Sequence, residues 1–264
     1  MRTLTLEVGI DKLDYLVPGE WNDLSQTQLI YLIRMAQNQV TAEEMKLKLL
    51  LYCLDGSIKK YDNRPDGRFF LLKINRDKFW LSSAELNAIS SIFNFLFRET
   101  KEGLKINPKL TINKFPTAYC GCITVYGPKD GLVDISYQQF ADLQIWSTKV
   151  DESSEMLDRF ISIIYNRKTG NLSPKIVAKM SPSVKTAILW FYMGCLQMIQ
   201  QRFPKVFQGS GASGNIVDGQ MRIIDALAQN KLADKEKVKS ASLYDALYTM
   251  QCAAEQAEKI EQKK

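Results

Sequence analysis

Leu24-Ser25-Gln26-Thr27-Gln28-Leu29 carries two helix-start devices in six residues. Ser25 and Gln28 form a capping box: the hydroxyl accepts from the amide three residues on, and the Gln side chain reaches back to the Ser amide. Leu24 and Leu29 flank it as a hydrophobic staple. The same arrangement recurs at Thr41 to Glu44 with Val40 and Met45, at Ser82 to Glu85 with Leu81 and Leu86, and at Ser136 to Gln139 with Ile135 and Phe140. Four copies in register with apolar periodicity predict helices over 25–38, 41–54, 83–99 and 136–149. Gly56 and Gly103 stand just past two of them, where a left-handed terminating residue is wanted.

Working outward, further helices are expected near Ser154 and at Ser173-Pro174 and Ser181-Pro182, where proline takes the first helical position without losing a bond. The helix over 182–203 contains Ile188-Leu-Trp-Phe-Tyr-Met-Gly-Cys-Leu196, apolar on all sides, and reads as the central core helix. Pro204 stops it. Strand signals are fewer. Arg68 to Ile74 and Lys78 to Leu81 flank a short turn and read as a hairpin, with further short strands at Leu4 to Val8 and Tyr119 to Tyr126. Between Lys101 and Ile135 periodicity is poor, which predicts irregular structure packed on the helices. The fold class is therefore mainly α, an α+β chain with a small antiparallel hairpin near 68–81.

A composition break at Gln208-Gly-Ser-Gly-Ala-Ser-Gly-Asn215 has linker character. It divides a body, 1–207, from a helical tail, 216–264, with helices expected at about 218–230 and 242–262. In the second, Leu243, Leu247, Met250, Ala254 and Ala257 are spaced 4, 3, 4, 3. That heptad seam suits pairing with the preceding helix or with another chain. Deletion of 208–264 is accordingly expected to leave a folded body that no longer assembles.

The chain has 264 residues, 35 basic against 29 acidic, and a net charge of +6. The stretch from Lys59 to Lys114 holds 12 basic and 6 acidic residues, so it carries the whole excess as one basic region. Histidine is absent, which excludes imidazole triads and His-ligated metals. Five cysteines in a chain of this length do not resemble a secreted disulfide framework. The start lacks a signal-peptide core, and the longest apolar run, Ala187 to Leu196, is too short to span a bilayer. The expectation is a soluble intracellular protein with no membrane partner.

Motifs that could carry chemistry each have a plainer reading. Gly209-Ser-Gly-Ala-Ser-Gly214 matches a dinucleotide-binding pattern, but a long helix precedes it and no strand pair surrounds it, so linker is the better reading. Cys120-Gly-Cys122 offers two thiolates where a structural metal needs four ligands. Asp151, Glu152 and Glu155 precede a helix, where its dipole favours acids. No cofactor or metal is expected, and no catalytic set converges. Arg68, Lys73, Arg76 and Lys78 interleave with Phe69, Phe70, Phe79 and Trp80, a pairing of cations and rings that single-strand nucleic-acid binders use. An ordinary half-buried hairpin is favoured over that function.

Three strings carry a family likeness: Val17-Pro-Gly-Glu-Trp-Asn-Asp-Leu-Ser-Gln-Thr-Gln-Leu29, Val125-Tyr-Gly-Pro-Lys-Asp-Gly-Leu132, and Phe191-Tyr-Met-Gly-Cys195 with Arg202-Phe-Pro-Lys-Val-Phe207. The chain resembles proteins of Bacteroidetes phages and prophages over much of residues 17–207. The resemblance implies a non-enzymatic protein of the virion or tail-assembly module, located in the host cytoplasm during assembly or in the virion. Its implied partners are other phage structural proteins or copies of itself, and no functional residue carries over. The alternative is a nucleic-acid-binding accessory protein using Arg68, Lys73, Arg76, Lys78 and Trp80.

Overall fold

The computed structural model describes residues 1–8, 11–207, 223–228 and 231–261. The chain is mixed α+β, 54% helix and 22% strand, which is more strand than one hairpin supplies. Nine strands form four small antiparallel sheets among the described residues. The chain divides into two compact units, Met1–Pro108 and Lys109–Lys264, rather than at the expected 207/208 boundary. The expected linker, 208–215, lies outside the described residues.

In the first unit β1 (Arg2–Val8) pairs with β2 (Asp11–Val17). A helical pair follows, α1 (Gln26–Gln37) and α2 (Ala42–Cys53). Next come the meander β3 (Gly56–Arg64), β4 (Gly67–Ile74) and β5 (Asp77–Ser82), then α3 (Ser83–Ser90), a 3-10 segment (Ser91–Leu96) and the hairpin β6 (Phe97–Thr100)–β7 (Gly103–Ile106). Leu29, Leu32, Ile33, Leu49, Leu72 and Ile74 are buried and join helix pair and meander in one core.

The helix starts form as the capping residues dictate. Ser25 Oγ accepts from the Gln28 amide at 3.2 Å while Gln28 Oε1 accepts from the Ser25 amide at 2.9 Å. Ser82 and Ser136 make the same reciprocal pair, while at Thr41 the hydroxyl accepts from the Glu44 amide at 3.3 Å. The helix expected over 83–99 stops at Ser90. The hydroxyls of Ser90 and Ser91 donate to the carbonyls of Asn87 and Ala88, offering the backbone an alternative to helical continuation. Gly103 therefore opens β7, at φ +107, instead of ending a helix. Likewise Asp55, at φ +49, takes the left-handed turn after α2, and Gly56 begins β3.

In the second unit an irregular run from Lys109 leads to the hairpin β8 (Thr117–Cys120)–β9 (Ile123–Tyr126). Then come α4 (Tyr137–Ser147), α5 (Ser154–Ile164), α6 (Pro174–Val177), α7 (Pro182–Arg202) and α8 (Pro204–Phe207). Residues 223–227 are helical, followed by α9 (Leu232–Ser240) and α10 (Leu243–Glu261). The irregular run is pinned to α7 at Gly194, where a Cβ would stand 2.3 Å from the Leu110 carbonyl oxygen. Only glycine permits that approach.

Asn113 then ties the run together. Its backbone amide donates to Asp130 at 2.8 Å, its Nδ2 donates to the Pro128 carbonyl at 2.7 Å, and its Oδ1 accepts from the Phe115 amide at 2.9 Å. Tyr165 closes the knot by donating to the Phe115 carbonyl at 2.6 Å, its ring against Gly127. Buried polar groups are thus satisfied without regular structure. In α7, Lys185 and Asp158 of α5 form a buried ion pair.

The tail is part of this unit. The Leu243 amide donates to the Ile135 carbonyl at 3.1 Å and the Tyr137 amide to the Ala241 carbonyl at 2.9 Å, so α10 is bonded to the start of α4. The Tyr244 hydroxyl donates to the Gly131 carbonyl at 2.8 Å, and Lys205 pairs with Glu258. Deleting 208–264 would strip these partners from α4 and α8, so the body does not end at 207. Among the described residues no helix is long and apolar enough to cross a membrane.

Candidate functional site

Two surfaces hold the residues singled out from the sequence, one in each unit. The first is α10. Leu243 and Leu247 are buried, together with Ala246, against the second unit itself. Their place in a seam for another chain is corrected accordingly, because their apolar area is already covered. Met250 and Ala254 are half-buried and Ala257 is exposed. Gln251 accepts from the Lys205 amide at 3.2 Å, which fixes the side of α10 that faces α8.

The docked side therefore runs through 243, 247, 251, 254 and 258. The adjoining line carries Met250, Ala253, Ala257 and Ile260, spaced 3, 4, 3, with Ala253 and Ala257 exposed and Ile260 59% exposed. This stripe keeps the seam periodicity but is rotated from the expected set, as one helix can present two apolar lines three or four residues apart. From Ala253 onward it stands uncovered among the described residues. The shift could have been anticipated from the sequence: Ala253 and Ile260 extend a second heptad line that the first seam left out.

The second surface is the sheet β3–β4–β5. Strand alternation sends odd and even positions of β4 to opposite sides, and directly paired residues share a side. Tyr61, Phe70 and Leu81 form one rung, and Ile58, Leu72 and Phe79 the next. That side includes the buried Leu72 and Ile74 and is the inner face. On the outer face Lys60, Leu71 and Trp80 make a rung, Lys73 stands opposite Lys78, and Asp62 stands opposite Phe69. A bulge between Ile58 and Lys60 sets this register.

The five residues expected to act together do not share one face. Lys73, Lys78 and Trp80 do. Arg68 lies on the inner side, its Nε donating to Asn63 at 3.0 Å and its guanidinium 5.7 Å from the Tyr61 ring. Arg76 lies in the β4–β5 turn beside Asn75, which is at φ +54. The residue missed from the sequence is Arg64. Its guanidinium sits 4.4 Å from the Phe69 ring centre and 5.4 Å from that of Trp80, and its Nε donates to Asp62 at 3.0 Å. Because β3 shows little alternation, no sequence pattern placed Arg64 against those rings.

The remaining candidates are placed simply. Cys120 is buried and Cys122 exposed at the β8–β9 turn, and burial raises the Cys120 thiol above its ordinary range. Asp151, Glu152 and Glu155 are exposed around the start of α5. Among the described residues no three His, Cys, Asp or Glu side chains gather as metal ligands do. Gly209 to Gly214 lies outside the described residues. No family model, curated protein or solved structure matches the chain.

Proposed function

We propose that this is a non-enzymatic phage virion or tail-assembly protein that acts by protein–protein contact, with the uncovered side of α10 as a contact surface. The resemblance of segments 17–29, 125–132 and 191–207 supplies the setting. In the fold those segments do architectural work: Ser25 caps α1, Gly127 and Pro128 complete the Asn113 knot, and Gly194 admits Leu110.

The observation that carries the proposal is the stripe Met250, Ala253, Ala257 and Ile260 on a helix whose adjoining line is anchored. An anchored helix loses little further freedom on binding, so covering its free stripe meets a small entropic cost. Burying Ile260 contributes about 1–2 kcal/mol. One stripe is smaller than the roughly 1,600 Å² of a stable standing interface, so the contact gains strength by repetition in a multi-copy assembly.

The test replaces the gene in a producing phage with the A257D/I260D variant. Both side chains are exposed, so the fold and melting temperature are expected to stay unchanged while infectious titre falls at least about tenfold, the effect of losing roughly 1.4 kcal/mol per contact. Parental titre from the variant would contradict the proposal.

A further inference from the structure

The outer face of the β3–β4–β5 sheet raises a separate question. An exposed sheet face is ordinarily polar with its charges paired or dispersed. Here Lys73 and Lys78 occupy directly opposed positions, an arrangement of like charges that disfavours the pair. Neither makes an ion pair among the described residues. Lys60 adds a third cation one rung along, and the face's acid, Asp62, is held by Arg64. Such a surface is relieved by an anion laid across it.

The rings narrow the choice of anion. Trp80 is 41% exposed and shares the rung of Lys60, next to the rung of the opposed lysines. Arg64 lies over both Trp80 and Phe69. Successive positions on one face of a strand are about 7 Å apart, so Lys78 and Trp80 of β5 set a cation beside an open ring at a spacing suited to an extended polymer. A duplex keeps its base faces stacked inside and would meet the lysines but not the ring. An acidic peptide would likewise leave Trp80 unused.

We infer that this face binds single-stranded nucleic acid, with phosphates on Lys60, Lys73 and Lys78 and a base stacked on Trp80. Phosphate neutralisation supplies salt-sensitive, sequence-independent affinity, and the ring supplies preference for unpaired bases. Arg64 positions the ring and widens the stacking platform.

Fluorescence anisotropy with the full chain tests this, using labelled oligothymidylate of about 20 nucleotides, a duplex of equal length and poly-glutamate. The single strand is expected to bind at least about tenfold more tightly than either competitor, through its stacked base. Its affinity should fall with salt at a log–log slope of about −2, from three single-strand phosphate contacts. The K60Q/K73Q/K78Q variant should flatten that slope to near zero. Trp80→Ala should weaken binding about tenfold and leave the slope intact. Arg68→Gln, on the inner face, should change affinity by less than about twofold, as expected for a side chain outside the contact. No binding at about 50 mM salt, where phosphate contacts are strongest, would overturn the inference. So would equal affinity for the duplex or poly-glutamate, or an Arg68→Gln loss as large as that of the triple variant.

Discussion

Cys195 shows how burial decides reactivity at the level of one side chain. It lies in α7, fully buried, and that burial pushes its thiol up to about 12. Cys53 is pushed up to about 11 for the same reason, partly offset by the Gln28 amide that donates to its sulfur at 3.3 Å. The thiolate is the reactive form, so both stay inert near neutral pH. The expected outcome at pH 8 is rapid labelling of the exposed Cys122 by a disulfide reagent, with Cys195 labelled only on unfolding. The same shift predicts a pH dependence. Between the ordinary thiol value of about 9 and the folded value of about 12, the unfolded chain has released a proton that folded Cys195 retains. Stability therefore falls as pH rises through that window. Tyr137, Tyr165 and Tyr192, raised by burial, act in the same direction at higher pH. A urea midpoint that drops from pH 8.5 to 11 is expected, and a constant midpoint would contradict the burial. At this scale the sequence was only partly legible. Ser25 and Ser136 announced their roles because a cap needs neighbours three residues away. Asn113 did not, because its partners Pro128, Asp130 and Tyr165 are distant in sequence.

At the scale of elements, the helices were readable where local devices set them and unreadable where packing did. All four capped starts formed, while α3 ended early through side-chain bonds from Ser90 and Ser91. Strand β3 went unseen because Lys59 to Arg64 are exposed on both sides, leaving no alternation to detect. The β6–β7 hairpin was hidden in an expected helix end, with Gly103 serving a turn. Helix α9 is rich in charge and lacks an apolar stripe; Asp234–Lys237 and Glu236–Lys239 pairs line its surface. The C-terminal helix gives an element-scale prediction. A chain ending at residue 240 loses the bonds of Leu243 and Tyr244 to the segment before α4 and uncovers its apolar contacts. Truncation should lower the stability of the second unit by about 3 kcal/mol or more, the scale of losing two buried leucines. Limited proteolysis should then cut α4 and α8 before residues 1–108. An unchanged digestion pattern would show that α10 is not integral.

At the scale of the molecule, the mixed α+β class follows from the sequence in outline, but its division into units does not. The boundary near Pro108 has no compositional mark, and it separates two cores that only packing defines. The segment with linker composition falls elsewhere. What the whole chain offers to other molecules is one anchored helix with a free stripe and one sheet with a cationic, aromatic outer face. If contact through α10 is how the protein works, a photo-cross-linker placed at Ala257 in assembling phage should be captured. The expected product joins this chain to a structural protein of the particle or to a second copy, and a cross-linker at the docked Gln251 should give none. Capture from position 251 but none from 257, with particles forming at the parental yield, would contradict it.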